Sequence, residues 1–156
     1  MYNSRIIGLG KYAPNHVVTN DDLSKMMDTS DAWIQERTGI KERRWVVEGS
    51  GETTSSMGVE AAKIAIEPAG ISKDDIDFIV FATLSPDYYF PGPGVQVQNA
   101  LGIKTVGALD VRNQCSGFVY GLSVADQFIK SGMYKNVLVI GSELHSHGLD
   151  KTTRGT

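Results

Sequence analysis

The single cysteine of the chain sits in Leu109-Asp110-Val111-Arg112-Asn113-Gln114-Cys115-Ser116-Gly117-Phe118. An apolar strand ends, a tight polar turn follows, and an apolar-periodic helix is expected to open at Cys115 itself. A thiol in a helix's first turn faces unsatisfied backbone N–H groups and the positive end of the helix dipole. Both favour the thiolate, the species that attacks an acyl thioester. Ser116 and Gly117 leave room for a substrate to approach the sulfur. The same spacing also suits a buried structural cysteine, a common role, and spacing leaves the two readings open.

Two other groupings invite chemistry and fit it less well. Gly8-Leu9-Gly10-Lys11-Tyr12-Ala13 has the G-x-G-x-x-A form of a dinucleotide site, but that site needs a helix opening at the glycines. Pro14-Asn15 opposes one. Glu143, His145 and His147 alternate, yet three metal ligands two apart must all face one way, and no residue that would orient them can be named. Solvated or pocket-lining side chains are the simpler account, and no metal is expected. The acidic run Asp74-Asp75-Ile76-Asp77 reads as a solvated turn.

These residues need a scaffold, and the hydrophobic pattern supplies one. Buried strands are expected at Ser4–Leu9, Ile76–Thr83, Val106–Val111 and Val137–Gly141, with a further strand at Arg44–Val47. Helices are expected after an Asn20 cap, after Thr29-Ser30-Asp31 up to Gly39, over Thr53–Ala69 with an early end at Pro68, over Val95–Leu101, and over Cys115–Lys130 up to Gly132. The Pro91-Gly92-Pro93-Gly94 stretch is expected to be irregular. The inner face of the Cys115 helix should carry Phe118, Val119, Leu122, Ala125, Phe128 and Ile129. Apolar strands alternating with helices give an α/β fold, a mostly parallel sheet covered on both faces. The final stretch, His145–Thr156, is polar and carries no strand or helix pattern.

Composition bounds the function. The chain has 156 residues, 41% hydrophobic and 21% charged, near the average for a soluble globular domain. No repeat or linker divides it, so one continuous domain is expected. A net charge of −3 gives no basic excess for a nucleic-acid backbone to exploit. No apolar run reaches the ~18–20 residues of a membrane-spanning helix, and the amino terminus lacks a signal-peptide charge pattern. One cysteine cannot form an intrachain disulfide, which points to a reducing, cytoplasmic compartment.

Asn113-Gln114-Cys115-Ser116-Gly117-Phe118 resembles the active-site turn of the ketoacyl synthase III family of the thiolase superfamily. Thr29-Ser30-Asp31-Ala32-Trp33-Ile34 with Arg37-Thr38-Gly39-Ile40, Thr53–Met57, Phe90-Pro91, Leu122–Gln127, Lys130-Ser131-Gly132 and Thr153-Arg154-Gly155-Thr156 extend the resemblance in order along the chain. It implies the amino-terminal half of a thiolase-like enzyme that begins fatty-acid chains from acyl-CoA and malonyl-acyl-carrier-protein. Cys115 then accepts the acyl group, and its backbone N–H serves the oxyanion. Trp33 and Arg154 would sandwich the adenine of coenzyme A, with Arg37 and Thr29 contacting its nucleotide and phosphates. Without the resemblance, Trp33 reads as core and the two arginines as solvated charges. Coenzyme A enters as a thioester substrate, and no permanently bound cofactor is implied. Phe90 would reach across a homodimer axis, near which Val106–Val111 would run.

Four positions depart from the family pattern. Leu84 and His145 fall in the acyl pocket where smaller or polar and apolar residues are expected, respectively. Asn113 and Gln114 replace small apolar residues beside the nucleophile. The resemblance also assigns the histidine and asparagine of condensation to a second, carboxy-terminal half absent from this chain. None of His16, His145 or His147 matches that histidine. Two alternatives stand beside this reading. One is a non-catalytic coenzyme A-binding or assembly subunit, and the other a related acyl-CoA condensing enzyme of polyketide or hydrocarbon synthesis.

Overall fold

Ile79, Val80, Phe81 and Ala82 are buried without a break, as a strand covered on both faces must be. A computed structural model of the chain describes residues 2–113 and 115–155. It divides into two compact units, one formed by Met1–Tyr12 and Thr53–Glu143 and the other by Ala13–Glu52 and Leu144–Thr156.

The first unit is built on a three-stranded parallel sheet. Strand β3 (Phe78–Ala82) lies in the centre, between β4 (Gly107–Val111) and β5 (Val137–Gly141). Helices α3 (Thr54–Ala69), α4 (Pro93–Leu101) and α5 (Gly117–Lys130) cover it. The period-2 alternation of β3 assigns the faces. Phe81 and Ile140 turn toward Gly58 of α3, and Phe81 joins Val59, Ala62, Val97 and Ile140 in one core cluster. Val80 and Val139 turn the other way, toward Gly121 of α5. A β-carbon at Gly121 would lie 3.1 Å from Val139 Cγ1 and 3.3 Å from Val80 Cγ1. The absence of a side chain at Gly121 therefore lets α5 sit directly on the sheet. Helices occupy both faces, as expected of the α/β class.

The second unit is a two-stranded antiparallel ribbon, β1 (His16–Thr19) with β2 (Glu42–Trp45), bracketing helices α1 (Asn20–Ser24) and α2 (Asp31–Thr38). Its apolar core is small: Val18, Ile34 and Val46. Polar contacts carry much of the rest. The buried Asn20 amide donates to Asp31 Oδ1 at 2.8 Å and to the Ile40 carbonyl at 2.7 Å, and its oxygen accepts from Arg43 at 2.6 Å. Arg43 also donates to the Val18 carbonyl at 3.1 Å.

Several expectations are corrected. Ser4–Leu9 is not a strand: the segment is largely exposed, and it pairs with no strand among the described residues. Its glycines instead let the backbone lie along α3, where a β-carbon on Gly8 or Gly10 would run into the carbonyl oxygen of Ala65 or Ala61. The cap of α1 is Thr19 rather than Asn20, and it forms a capping box with Asp22. The second strand covers Glu42–Trp45 rather than Arg44–Val47, in register with β1. Pro68 does not end α3 early. It sits one residue before the helix's last, near the end of its hydrogen-bond ladder. The Pro93-Gly94 pair is regular, because Pro93 opens α4 where a missing N–H is tolerated. Helix α5 begins at Gly117, not Cys115, and its buried positions are Gly117, Gly121 and Ala125. Val119 is 59% exposed, and Phe118, though it rests on Gly141 of β5, is still 43% exposed. Among the described residues no helix is long and apolar enough to cross a membrane.

Candidate functional site

The three parallel strands finish level with one another, with Ala82 in register with both Val111 and Gly141. In open parallel sheets the carboxyl ends of the strands are where binding loops gather. Three loops leave this edge, and each carries polar or reactive groups.

The loop after β4 holds Cys115, exposed in a turn two residues ahead of α5. Ser116 is the N-cap residue, and its carbonyl accepts from the Tyr120 N–H at 3.0 Å. Gly117 packs against the end of β3, where a β-carbon would sit 3.2 Å from Ala82 Cβ. The helix start is thus pinned to the sheet, and the thiol is carried just outside it. Asn113 is half-buried. Gln114, the other departure beside the cysteine, lies outside the described residues.

The loop after β3 carries Leu84 and Phe90. It is knitted to its surroundings by two carboxylates. The sequence reading did not single out Asp87, and it marked Glu143, through alternation with His145 and His147, only as a metal-ligand candidate. Glu143, following β5, accepts from the Thr83 hydroxyl at 2.8 Å, from the Leu84 N–H at 3.0 Å and from the Ser85 N–H at 2.7 Å, and also from the Ser85 hydroxyl. Burial pushes its carboxyl up, but the bonds from Ser85, Leu84 and Thr83 outweigh this and hold it below the usual glutamate range. Asp87 reaches the start of α3, accepting from the Thr53 hydroxyl at 2.9 Å and the Ser55 N–H at 3.1 Å, and from the Ser55 hydroxyl. A third carboxylate, Asp110 of β4, accepts the Gly94 N–H at 2.9 Å and so satisfies the first turn of α4. Serine and threonine flanking a strand end, with an acid one loop away, was the available signal for these contacts. Beyond them the loop is open. Leu84 is exposed, and Phe90, joined to Pro91 by a cis peptide, is 91% exposed.

The second unit gathers the remaining candidates. Ser30 caps α2 by accepting the Trp33 N–H at 3.2 Å, which fixes the helix start. Arg37, one turn further on, places its guanidinium carbon 4.9 Å from the Trp33 ring centroid. Arg154, distant in sequence, places its own 4.7 Å from the same centroid. Two cations on one indole favour a flat or anionic ligand. Thr29 behaves differently from these three. Its hydroxyl oxygen is buried and has no hydrogen-bond partner among the described residues. His145 is exposed in the stretch that leads to Arg154, and its carbonyl accepts the Gly148 N–H at 3.0 Å. Thr156, at the end of the Arg154 motif, lies outside the described residues. Among those residues no group of three histidine, cysteine or acidic side chains could hold a metal ion.

Comparison with known proteins finds consistent likeness to one kind of enzyme. The family profile "3-Oxoacyl-[acyl-carrier-protein (ACP)] synthase III" matches residues 109–156, the stretch from β4 through the Cys115 turn to the Arg154 motif. Beta-ketoacyl-[acyl-carrier-protein] synthase III 1 of Vibrio vulnificus is 56% identical over 153 residues, covering 98% of this chain and 48% of its own length. The crystal structure of 3-oxoacyl-[acyl-carrier-protein] synthase III from Aquifex aeolicus superposes with a TM-score of 0.92 at 50% identity, over 97% of this chain and 48% of the other. A priming β-ketosynthase of a polyketide biosynthetic pathway superposes with a TM-score of 0.91 at 33% identity, over 96% of this chain and 44% of the other. The chain therefore spans about half the length of the curated relatives it matches.

Proposed function

We propose that this chain, which corresponds in sequence and fold to the amino-terminal half of a 3-oxoacyl-acyl-carrier-protein synthase III, is the acyl-accepting half of a condensing enzyme that begins fatty-acid chains. Residues 1–156 make up the amino-terminal thiolase-like domain in this reading. The observation that carries it is the exposed thiol of Cys115 in the turn between β4 and α5, at the level edge of a parallel sheet.

The Cys115 thiolate attacks the carbonyl carbon of an acyl-CoA. A carbon–sulfur bond forms, the bond to coenzyme A breaks, and the coenzyme A thiolate leaves and takes up a proton. The Cys115 N–H stabilises the oxyanion formed on the way. Malonyl-acyl-carrier-protein then loses CO₂, and the resulting carbanion attacks the acyl-cysteine, giving 3-ketoacyl-acyl-carrier-protein and regenerating the thiolate. The groups that promote decarboxylation belong, by resemblance, to the carboxy-terminal half.

Trp33 and Arg154 take the adenine of coenzyme A between them, and Arg37 meets the phosphates, with Thr29 beside them. Leu84 and Phe90, on the loop after β3, border the acyl pocket and select the starter group. Coenzyme A serves as a leaving group and no cofactor is resident. A cytoplasmic homodimer is the assembly this reading implies. Likeness to a priming ketosynthase of polyketide synthesis favours one second reading, the same acyl transfer feeding a polyketide chain.

The test is intact-mass spectrometry of the chain after incubation with a panel of acyl-CoAs, alone and with the carboxy-terminal half supplied. An acyl increment mapped to Cys115, and lost in Cys115→Ser, is expected. Coenzyme A binding with no adduct under either condition would replace the acyltransferase with a binding or assembly subunit.

A further inference from the structure

The stretch from Leu144 to Gly155 has no helix or strand to hold it, yet it carries Arg154. Several contacts within the second unit fasten it. The buried Ser146 hydroxyl accepts the Val46 N–H at 3.2 Å, next to the end of β2. Lys151 places its ammonium 4.8 Å from the ring centroid of Trp45, the last residue of β2. Arg154 lies over Trp33. Between the last two contacts the backbone is folded locally. Asp150 accepts the Thr152 N–H at 2.9 Å and the Thr152 hydroxyl at 2.7 Å, and Thr153 accepts the Gly155 N–H at 3.2 Å. These local turns bias the backbone between Lys151 and Arg154, so a restraint at Lys151 bears on where Arg154 can reach.

Arg154 needs such a restraint. Arg37 already occupies the surroundings of the same indole, at 4.9 Å from its centroid. The two guanidiniums lie within about one Debye length, ~10 Å at 0.1 M salt, and repel each other. A cation on an irregular, exposed segment would otherwise leave the ring for solvent. From this we propose that Lys151, seated on Trp45, is a positioning residue that holds Arg154 over Trp33. One indole anchors the segment, and the other receives the arginine that it delivers. The link to ligand affinity rests on the reading of Trp33 and Arg154 as the adenine site. The placement of Arg154 itself does not.

The geometry adds a requirement on that site. A planar base between Trp33 and Arg154 needs two stacking separations, and 4.7 Å offers one. Arg154 must therefore rise from the ring while its segment stays close enough to close over the base. An anchor three residues away permits that side-chain movement and limits the ordering entropy that binding would otherwise cost.

The experiment is a set of variants, Lys151→Met, Lys151→Arg, Trp45→Leu and Trp33→Ala, each measured in two ways. First, NMR reads the ring-current shift that Trp33 imposes on the Arg154 side-chain protons, with no ligand added. Lys151→Met and Trp45→Leu should collapse that shift, their double variant should add nothing further, and Lys151→Arg should restore it. A shift unchanged in Lys151→Met, or lost equally in Lys151→Arg, overturns the proposal. Second, calorimetry compares coenzyme A with pantetheine, which lacks the nucleotide. Lys151→Met should weaken coenzyme A by about two- to fivefold, the size of an exposed cation–π contact, and leave pantetheine unchanged. Trp33→Ala tests the adenine reading separately. If it binds coenzyme A as the parent does, that reading fails, while the NMR result still decides whether Lys151 positions Arg154.

Discussion

The two units hold their candidate residues by different means. In the sheet unit, Cys115 is located by backbone ladders and by close packing, with β3 buried from Ile79 to Ala82 and α5 seated on it through Gly117 and Gly121. In the ribbon unit, Trp33 and the arginines are located by polar and cation–π contacts around Asn20, Arg43, Lys151 and the two indoles. The first scaffold tolerates surface change and fails when its core volume changes. The second buries little apolar surface and depends on each polar partner being present. A thiol that must meet a carbonyl in a fixed geometry is served by the stiffer of the two. A stacking site that must open for a base is served by the more adjustable one.

The sharpest way to break this contrast is to empty the sheet core. Phe81→Ala, at a fully buried position shared by α3 and α4, should cost about 3–5 kcal/mol in urea unfolding. A loss under ~1 kcal/mol would mean that packing does not set this unit. Next in size is Asn20→Ala, which leaves Arg43, Asp31 and the Ile40 carbonyl without a shared partner. It should cost about 1–3 kcal/mol, with hydrogen exchange accelerated at the ribbon amides and unchanged in β3. Acceleration in both units alike would erase the distinction.

Glu143 sharpens the contrast from inside the sheet unit, since with Asp87 it is one of the two carboxylates that hold the loop after β3. Its folded pKa is depressed, so its contribution is present above the usual glutamate range and is lost as pH falls through the folded value. Glu143→Gln should cost about 1–2 kcal/mol at neutral pH, discounted for partial exposure. It should also flatten the acid limb of the stability profile, and an unchanged limb would remove this carboxylate from the account. Smallest of all is Cys115→Ala, expected within ~0.5 kcal/mol of the parent because the side chain is exposed. A larger cost would return the cysteine to a structural role.

The strands of the sheet were legible because β-branched and aromatic runs bounded by polar turns have few other uses. Ile76–Thr83 and Val137–Gly141 both carry their strands. Helix α5 was legible in extent and not in orientation. A reading that seeks large apolar residues for the inner face points to Phe118 and Val119, whereas the fully buried positions of this helix are Gly117, Gly121 and Ala125, with Phe128 packing on Phe78 of β3 further along. The same preference made Ser4–Leu9 look like a buried strand, though its glycines serve contact with α3. The ribbon was hardest to see. Strand β1 has four residues, and its partner Glu42–Trp45 is mostly charged, so no alternation of apolar and polar residues marks either. Thr19 outcompeted Asn20 as a cap because the Asn20 side chain is spent on tertiary bonds. For the candidate site, the Cys115 turn was visible in chemistry and displaced by two residues in structure. That Arg154 reaches Trp33 followed from family resemblance, because no spacing rule joins residues so far apart. Lys151 on Trp45 carried no signal beyond the presence of both residues.

The division of the chain into two units also divides its chromophores. Both tryptophans, Trp33 and Trp45, belong to the ribbon unit, and all six tyrosines belong to the sheet unit. Light absorbed only by indole therefore reports on the ribbon alone, and it does so through the two rings against which Arg37, Arg154 and Lys151 rest. Tyrosine emission reports on the sheet. The unlabelled protein thus carries two intrinsic optical channels, one for each scaffold, and melting or ligand titration can be followed in both within a single cuvette.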